Sequence, residues 1–263
     1  MLVRLETIYW AMDDDAPGGH SYGKVMTRLD RSKSPLDPAA WSLSNVVGPA
    51  EIPASIHRNL YPLDDQMMRR SGFWLEPNTV EVAGRTRVFT RCVIDRYASA
   101  NMAAVLDYDP DANRLSFTQF TPWPGGQCKF FIVRDRPSQM YWLLSNLATN
   151  SQDLLNWHDR WPRSQHGPSG NERRWLFLHY SIDCLNWFPA NCVARWPDSV
   201  TRSFMYPSAV VDEDDLIVMS RTSRNSGDQH DTDLETIHRV TSFRQLAMDL
   251  HTGVPEAERG RTK

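Results

Sequence analysis

The chain has 263 residues, 41% of them hydrophobic, and a formal net charge of −3. No apolar run approaches the roughly 18 residues that cross a bilayer, and no basic face for nucleic acid is indicated, so both partners are excluded. The N-terminus lacks a basic segment followed by a long apolar stretch, so no signal peptide is predicted, and a cytoplasmic and a secreted location both stay open. We predict one domain over residues 1–250 and a disordered tail over residues 251–263.

Short alternating apolar runs, separated by Gly, Pro, Asp and Asn turns, predict an all-β fold. Only Thr241–Leu250 and Asp153–Trp161 are candidates for short helices. The polar segment Thr149–Arg173 is long enough to form a rim loop or lid. In chain order, the clearest predicted strands are Thr79–Val82, Arg87–Cys92, Met102–Tyr108, Leu115–Phe120, Lys129–Arg134, Tyr141–Ser145, Trp175–Ser181, Ser208–Val211, Leu216–Arg221 and Thr236–Val240.

An internal repeat favours a β-propeller over a sandwich or a barrel. Glu76-Pro77 begins an apolar strand, and a turn and a second strand lead to Arg91, 15 residues after Glu76. Tyr206-Pro207 and Arg221 repeat this pattern with the same spacing. Because an antiparallel hairpin returns its last residue beside its first, Glu76 is expected near Arg91 and Tyr206 near Arg221, on one rim.

The cysteines and tryptophans add little specificity. The four cysteines form no CxxC pair and no zinc-type spacing, so they are interpreted as core thiols, with disulfides as the alternative. No metal and no cofactor are predicted. The ten tryptophans suit repeated structural positions in blades, and they also suit a sugar-binding face.

The segment from Leu178 to Trp187 resembles a degenerate Asp-box, the Ser-x-Asp-x-Gly-x-Thr-Trp turn of sialidase-like (BNR repeat) β-propellers. Ser181, Asp183 and Trp187 match that pattern, whereas Leu185 and Asn186 depart from it. The expected role is structural: Ser and Asp bind the turn backbone, and the Trp packs between blades.

The order of the motifs also resembles the bacterial sialidase-like propellers. The resemblance implies that Tyr206 is a nucleophile activated by Glu76, and that Arg91 and Arg174 bind the substrate carboxylate, with Arg173 as the alternative register. The segment from Pro124 to Phe130 and the closing Gln229 to Arg239 resemble the same proteins. The further substrate-binding candidates are Arg221, Lys129, His230 and Asp231.

Two departures from the family pattern concern the first blades. No Arg-Ile-Pro motif occurs near residue 1, and Asp13, Asp14 and Asp15 are equal candidates for the acid/base. The resemblance begins part-way through a pattern that has five or six blades when complete. About 14 strands are predicted, which corresponds to three or four blades of a truncated or diverged propeller.

The function that the resemblance implies is retaining hydrolysis of a terminal acidic sugar, such as sialic acid, from a glycan. A hydrolase of another glycan, a polysaccharide lyase and a non-catalytic carbohydrate-binding propeller are the alternatives. Other interpretations of the same residues also stay open: a rim salt bridge for Glu76 and Arg91, and a strand aromatic for Tyr206. For His230 and Asp231 they are a catalytic dyad, metal ligands or a self-bonded turn. The expected partner is a glycan, with a homo-oligomer left open.

Overall fold

The computed structural model describes residues 1–14, 23–52, 73–93, 101–126, 128–149, 172–197, 201–226 and 229–248. Fifteen strands in these ranges form four antiparallel sheets, arranged as the blades of a sialidase-type β-propeller. No helix in the described part of the chain is long and apolar enough to cross a membrane. Of the predicted lid, Thr149–Arg173, only Thr149, Glu172 and Arg173 are among the described residues. The predicted tail from residue 251 lies outside them.

Each sheet is built from consecutive strands. Blade 1 contains β1 (Leu2–Arg4), β2 (Thr7–Asp14), β3 (Gly23–Asp30) and β4 (Trp41–Leu43). Blade 2 contains β5 (Phe73–Val82), β6 (Arg85–Val93), β7 (Met102–Asp109) and β8 (Arg114–Pro122). Blade 3 contains β9 (Phe131–Asp135), β10 (Met140–Asn146), β11 (Trp175–Ser181) and β12 (Phe188–Arg195). Blade 4 contains β13 (Ser203–Asp212), β14 (Asp215–Ser223) and β15 (Leu234–Val240).

The hydrophobic core lies between neighbouring blades, because each strand places alternate side chains on opposite faces of its sheet. One cluster joins blades 1 and 2 through Met26 and Trp74. A second joins blades 2 and 3 through Phe89 and Leu143, and a third joins blades 3 and 4. Burial of large apolar side chains at these three contacts stabilises the order of the blades.

All ten of the clearest predicted strands are present, and five strands of the structure are not among them. These five are β1 to β4, which form blade 1, and β12. Strand β12 contains Pro189, and its residues are all exposed or half-buried, so apolar and polar residues alternate only weakly along it. Of the candidate short helix at Thr241–Leu250, the described part contains a 3-10 helix over Phe243–Leu246. The other candidate helix, Asp153–Trp161, lies outside the described residues.

The turn at Ser181 has the hydrogen bonds expected from its sequence. The Ser181 hydroxyl accepts from the backbone N–H of Asp183 and Cys184, and Asp183 Oδ1 accepts from the N–H of Leu185 at 2.9 Å. The Trp187 ring packs edge-on against Trp123 in the core between blades 2 and 3. This turn therefore anchors blade 3 to blade 2, and its membership of the Asp-box family stays a prediction.

The four cysteines are free thiols. Cys92, Cys128 and Cys184 are buried, as expected for core thiols, whereas Cys192 is half-buried. Burial raises the pKa of the Cys184 thiol well above its usual range, which keeps it protonated.

Candidate active site

The two repeated hairpins share a backbone irregularity at the residues predicted to act in catalysis. The pairing of β5 with β6 shifts between Leu75 and Asn78, and that of β13 with β14 shifts between Met205 and Ser208. Glu76 and Tyr206 lie in these shifts with φ of 55° and 53°. A non-glycine residue in the left-handed region, immediately before proline, is held there against its own preference at a cost of order 1–3 kcal/mol. Such strained residues concentrate at functional sites.

Glu76 is paired with the arginine that the repeat predicted. Arg91 Nη1 lies 3.0 Å from Glu76 Oε2, and both side chains are largely buried. Strand register explains the contact, because Arg91 on β6 lies opposite Leu75, one residue before Glu76. The prediction that the hairpin brings these two side chains together is confirmed; the role of the pair in substrate binding stays a prediction.

Cationic side chains from three places in the chain lie around the ring of Tyr206. The guanidinium carbon of Arg221 is 4.7 Å from the ring centroid, that of Arg173 is 5.6 Å away, and Lys129 Nζ is 5.1 Å away. Arg221 reaches the ring through its register opposite Met205, as the second repeat predicted. The arrangement concentrates positive charge beside a phenol and so favours an anionic ligand.

The phenol of Tyr206 is kept in its neutral form. Burial raises its pKa above the usual value, and the negative charge of Glu76 together with a side-chain hydrogen bond to Glu76 raises it further. The cations Arg173 and Arg91 oppose this effect. A neutral phenol near a carboxylate is the arrangement in which the carboxylate can take the phenolic proton as the oxygen attacks.

Arg173, rather than the Arg174 favoured from the sequence, lies over the Tyr206 ring. Arg174 instead donates from Nε and Nη2 to Glu172 Oε1, at 2.8 and 2.6 Å, and from Nη1 to the Pro197 carbonyl. Successive side chains of an extended segment point in opposite directions, so a register error of one residue reverses the assignment. The alternative register considered from the sequence is therefore the one that the geometry favours.

The backbone of Arg173 is fixed by two buried amide side chains. Gln229 Oε1 accepts from the Arg173 N–H at 2.8 Å, and Asn146 Nδ2 donates to the Arg173 carbonyl at 3.3 Å. Asn146 Nδ2 also donates to the Phe204 carbonyl at 2.6 Å, two residues before Tyr206. These contacts tie blade 3 to the start of β13 and hold Arg173 beside the phenol.

A tight glycine loop precedes Lys129. Gly125 has φ of 74°, and a Cβ at Gly126 would lie 2.3 Å from the Met102 carbonyl oxygen, so a larger residue does not fit. The Gly126 carbonyl accepts from the Cys92 N–H at 3.2 Å. The loop is therefore packed against blade 2, and it leads directly to Cys128 and Lys129 at the rim.

His230 lies beside Tyr206, whereas Asp231 does not form the catalytic dyad considered for the two residues. His230 Nε2 is 3.4 Å from the Tyr206 hydroxyl oxygen, and the two rings meet edge-on. Asp231 is exposed, and its carbonyl accepts from the Ser226 hydroxyl. Among the described residues, no group of three or more His, Cys, Asp or Glu side chains is placed to hold a metal.

Of the three candidate acids near the N-terminus, the structure brings Asp13 to Glu76. Both carboxylate oxygens of Asp13 lie 3.2 Å from the backbone nitrogen of Glu76. Asp13 Oδ1 is also 2.7 Å from Nζ of Lys24, a lysine with a fully buried side chain. Asp14 lies at the end of β2, and Asp15 is outside the described residues.

Comparison with known proteins identifies the fold. No model of a known protein family matches the sequence, and no curated protein sequence matches it. Two solved structures of the sialidase from Trypanosoma rangeli, one in complex with sialic acid, match with a TM-score of 0.52 at 13% and 12% identity. The match covers 91% of this chain and 30% of those chains, so the chain spans less than a third of their length.

A third solved structure, an exo-1,5-α-L-arabinanase from a bovine ruminal metagenomic library, has a TM-score of 0.49 at 11% identity, over 90% of this chain and 71% of that one. At such identities the similarity to the sialidases shows the fold alone. The chain accordingly has a sialidase-like β-propeller fold, and its chemistry must be argued from its own residues.

Two residues of the site, Lys24 and Asn146, were missed from the sequence, because they carry no motif and are recognisable only as polar residues within or beside apolar runs. Gln229 begins the closing segment covered by the resemblance, but no role was assigned to it. Asp13 was one of three equal candidates, because blade 1 was not identified and the position of the acidic run in a strand was unknown.

Proposed function

We propose that the protein is a retaining glycosidase that cleaves a terminal acidic sugar, with sialic acid as the leading candidate. The observation that carries the proposal is the placement of Tyr206 and Glu76 in matching bulges of blades 4 and 2, with Arg91 paired to Glu76 and three cations around the Tyr206 ring. A tyrosine with an adjacent carboxylate suits a substrate whose own carboxylate would repel an anionic nucleophile.

The proposed first step is attack of the Tyr206 oxygen on the anomeric carbon. Glu76 takes the phenolic proton, the bond to the glycosidic oxygen breaks, and a glycosyl–tyrosine intermediate forms. His230 is the further group placed to protonate the leaving oxygen, since its Nε2 lies 3.4 Å from the Tyr206 hydroxyl oxygen. The Asp13 carboxylate instead accepts from the Glu76 N–H and pairs with the Lys24 ammonium. Water then releases the sugar with retention of configuration.

The preference for an acidic sugar rests on the cations around Tyr206. Arg91 and Arg173 present guanidinium groups, which bind a carboxylate through two parallel hydrogen bonds, and Arg221 and Lys129 add charge to the same place. A neutral sugar would gain nothing from this concentration of positive charge.

The test is hydrolysis of a fluorogenic sialoside by the purified chain, beside the Tyr206→Phe variant. We expect release of the fluorophore by the wild type and loss of at least about 10³-fold in kcat in the variant, since the nucleophile is removed. Release that survives in the variant would remove Tyr206 from the mechanism. No release by a folded wild-type chain would contradict the sialidase proposal, and a screen of other glycosides and of uronate polymers would then separate the other enzymes from a binding protein.

A further inference from the structure

Lys24 and Asp13 form a chain of contacts that begins in the core of blade 1 and ends at the backbone of Glu76. The Lys24 ammonium is 2.7 Å from Asp13 Oδ1, and it also donates to the carbonyls of Trp74, at 2.8 Å, and Gly23, at 3.1 Å. Trp74 lies on β5, two residues before Glu76. The lysine therefore joins β3 of blade 1 to the strand that carries the catalytic carboxylate.

Burying a lysine completely is costly unless its charge and donors are matched. Burial lowers the pKa of Lys24, while the hydrogen bond to Asp13 and the charges of Asp13 and Glu76 oppose that change. An aliphatic residue would fill the same space without this cost. A buried lysine at this place is therefore better explained by what its ammonium holds than by packing.

Through Asp13, the Lys24 ammonium holds Glu76, the strained residue of the site. The N–H of Glu76 lies at the register shift between Leu75 and Asn78, where the pairing of β5 with β6 is interrupted, and it meets both oxygens of Asp13 instead. This N–H belongs to a residue with φ of 55° immediately before Pro77. The Asp13 carboxylate is thus the partner that compensates for the interrupted pairing.

We propose that Lys24 and Asp13 are positioning residues that act as one unit, holding Glu76 in its left-handed conformation against Tyr206 without touching substrate. The expected loss of turnover rests on the proposed function, whereas the expected change in the Tyr206 titration does not. The charged and titratable groups that face Glu76 are Arg91 from β6, Tyr206 from β13, and this pair from β2 and β3. If the pair releases Glu76, the carboxylate no longer raises the pKa of the Tyr206 phenol as it does now.

The experiment compares Lys24→Met, Asp13→Ala and the double variant with the wild type. The matched control is Asp107→Ala, which removes an aspartate that pairs with Arg87 at 2.9 Å between β6 and β7, away from Tyr206. One readout is kcat and KM for the sialoside. The other needs no substrate: titration of the Tyr206 phenol by NMR of protein labelled with 13C at tyrosine Cζ, with its signal assigned by loss in Tyr206→Phe.

The expected result is a loss of about 10²-fold in kcat in each single variant with little change in KM, because a displaced base misaligns the attack. The double variant should lose no more than either single one, since the two residues act together. The pKa of Tyr206 should move down toward its ordinary value in all three, because the charge of Glu76 moves away from the phenol, and it should stay unchanged in Asp107→Ala.

An unchanged Tyr206 titration in both single variants would overturn the proposal, and so would a rise in KM with unaltered kcat. If the wild type does not cleave the sialoside, the proposed function fails while the titration still decides on the positioning pair. The signals of the other tyrosines report whether each variant is folded. If Lys24→Met is not folded, Asp13→Ala alone carries the test.

Discussion

His179 makes the stability of the propeller depend on pH. It lies on β11 opposite Leu143, its side chain is buried, and burial lowers its pKa from 6.5 to about 4. A hydrogen bond to the Leu143 backbone favours the protonated ring but is the smaller effect. The folded state therefore holds a neutral imidazole over a pH range in which the unfolded chain binds a proton.

The sign and size of the effect follow from this difference. As the pH falls below about 6.5, the unfolded state gains a proton at His179 and the folded state does not, so stability is lost until about pH 4. The loss between pH 7.5 and pH 5 is about 2 kcal/mol, and it approaches about 3 kcal/mol below pH 4. Above pH 7.5 this contribution no longer changes.

The assay is urea unfolding of the wild type and of His179→Gln at pH 7.5 and pH 5, at constant ionic strength. The wild type should lose about 2 kcal/mol more than His179→Gln between the two pH values, because all other groups are shared. His238→Gln is the control: His238 is half-buried, and burial lowers its pKa, so removing it should reduce the pH dependence by less. Equal pH dependence in the wild type and His179→Gln would refute the reasoning.

Two further predictions concern neighbouring arginines and the Ser181 turn. Arg173→Met should weaken binding of sialic acid by about 10- to 100-fold in calorimetry, through loss of a charge-assisted contact. Arg174→Met should instead lower the free energy of unfolding by about 3–5 kcal/mol, because it removes the Arg174 side of a buried ion pair with Glu172. The reverse pattern would restore Arg174 to the site. Asp183→Ala should lower the free energy of unfolding by about 1–3 kcal/mol, because it removes the carboxylate that holds the turn. Sialoside turnover should be unchanged, and a loss of turnover in folded protein would contradict the structural role of Asp183.

The parts of the fold that were predicted from the sequence depend on local patterns. The repeat of a polar residue, proline and a terminal arginine fixed two hairpins, and with them the contacts of Glu76 with Arg91 and of Tyr206 with Arg221. These contacts follow from antiparallel register alone, so they needed no knowledge of how the blades pack.

The parts that were missed depend on contacts between blades. Lys24 places a charge in a strand whose first five residues are all buried, and its burial is explained only once Trp74 of blade 2 supplies an acceptor. The choice between Arg173 and Arg174 needed the exact register of the segment that enters β11, which Asn146 and Gln229 fix from other strands. Such long-range contacts leave no periodic signal in a single sequence.

The central claim is that Tyr206 attacks the sugar, and mass spectrometry of the trapped intermediate tests it most directly. A sialoside with fluorine on the carbon next to the anomeric centre and a good leaving group should react and then hydrolyse slowly, since fluorine destabilises the oxocarbenium-like transition state. The intact mass should rise by one glycosyl unit, located by peptide mapping at Tyr206, and Tyr206→Phe should show no adduct. An adduct on another residue, or turnover of the sialoside with inversion of configuration, would contradict the account.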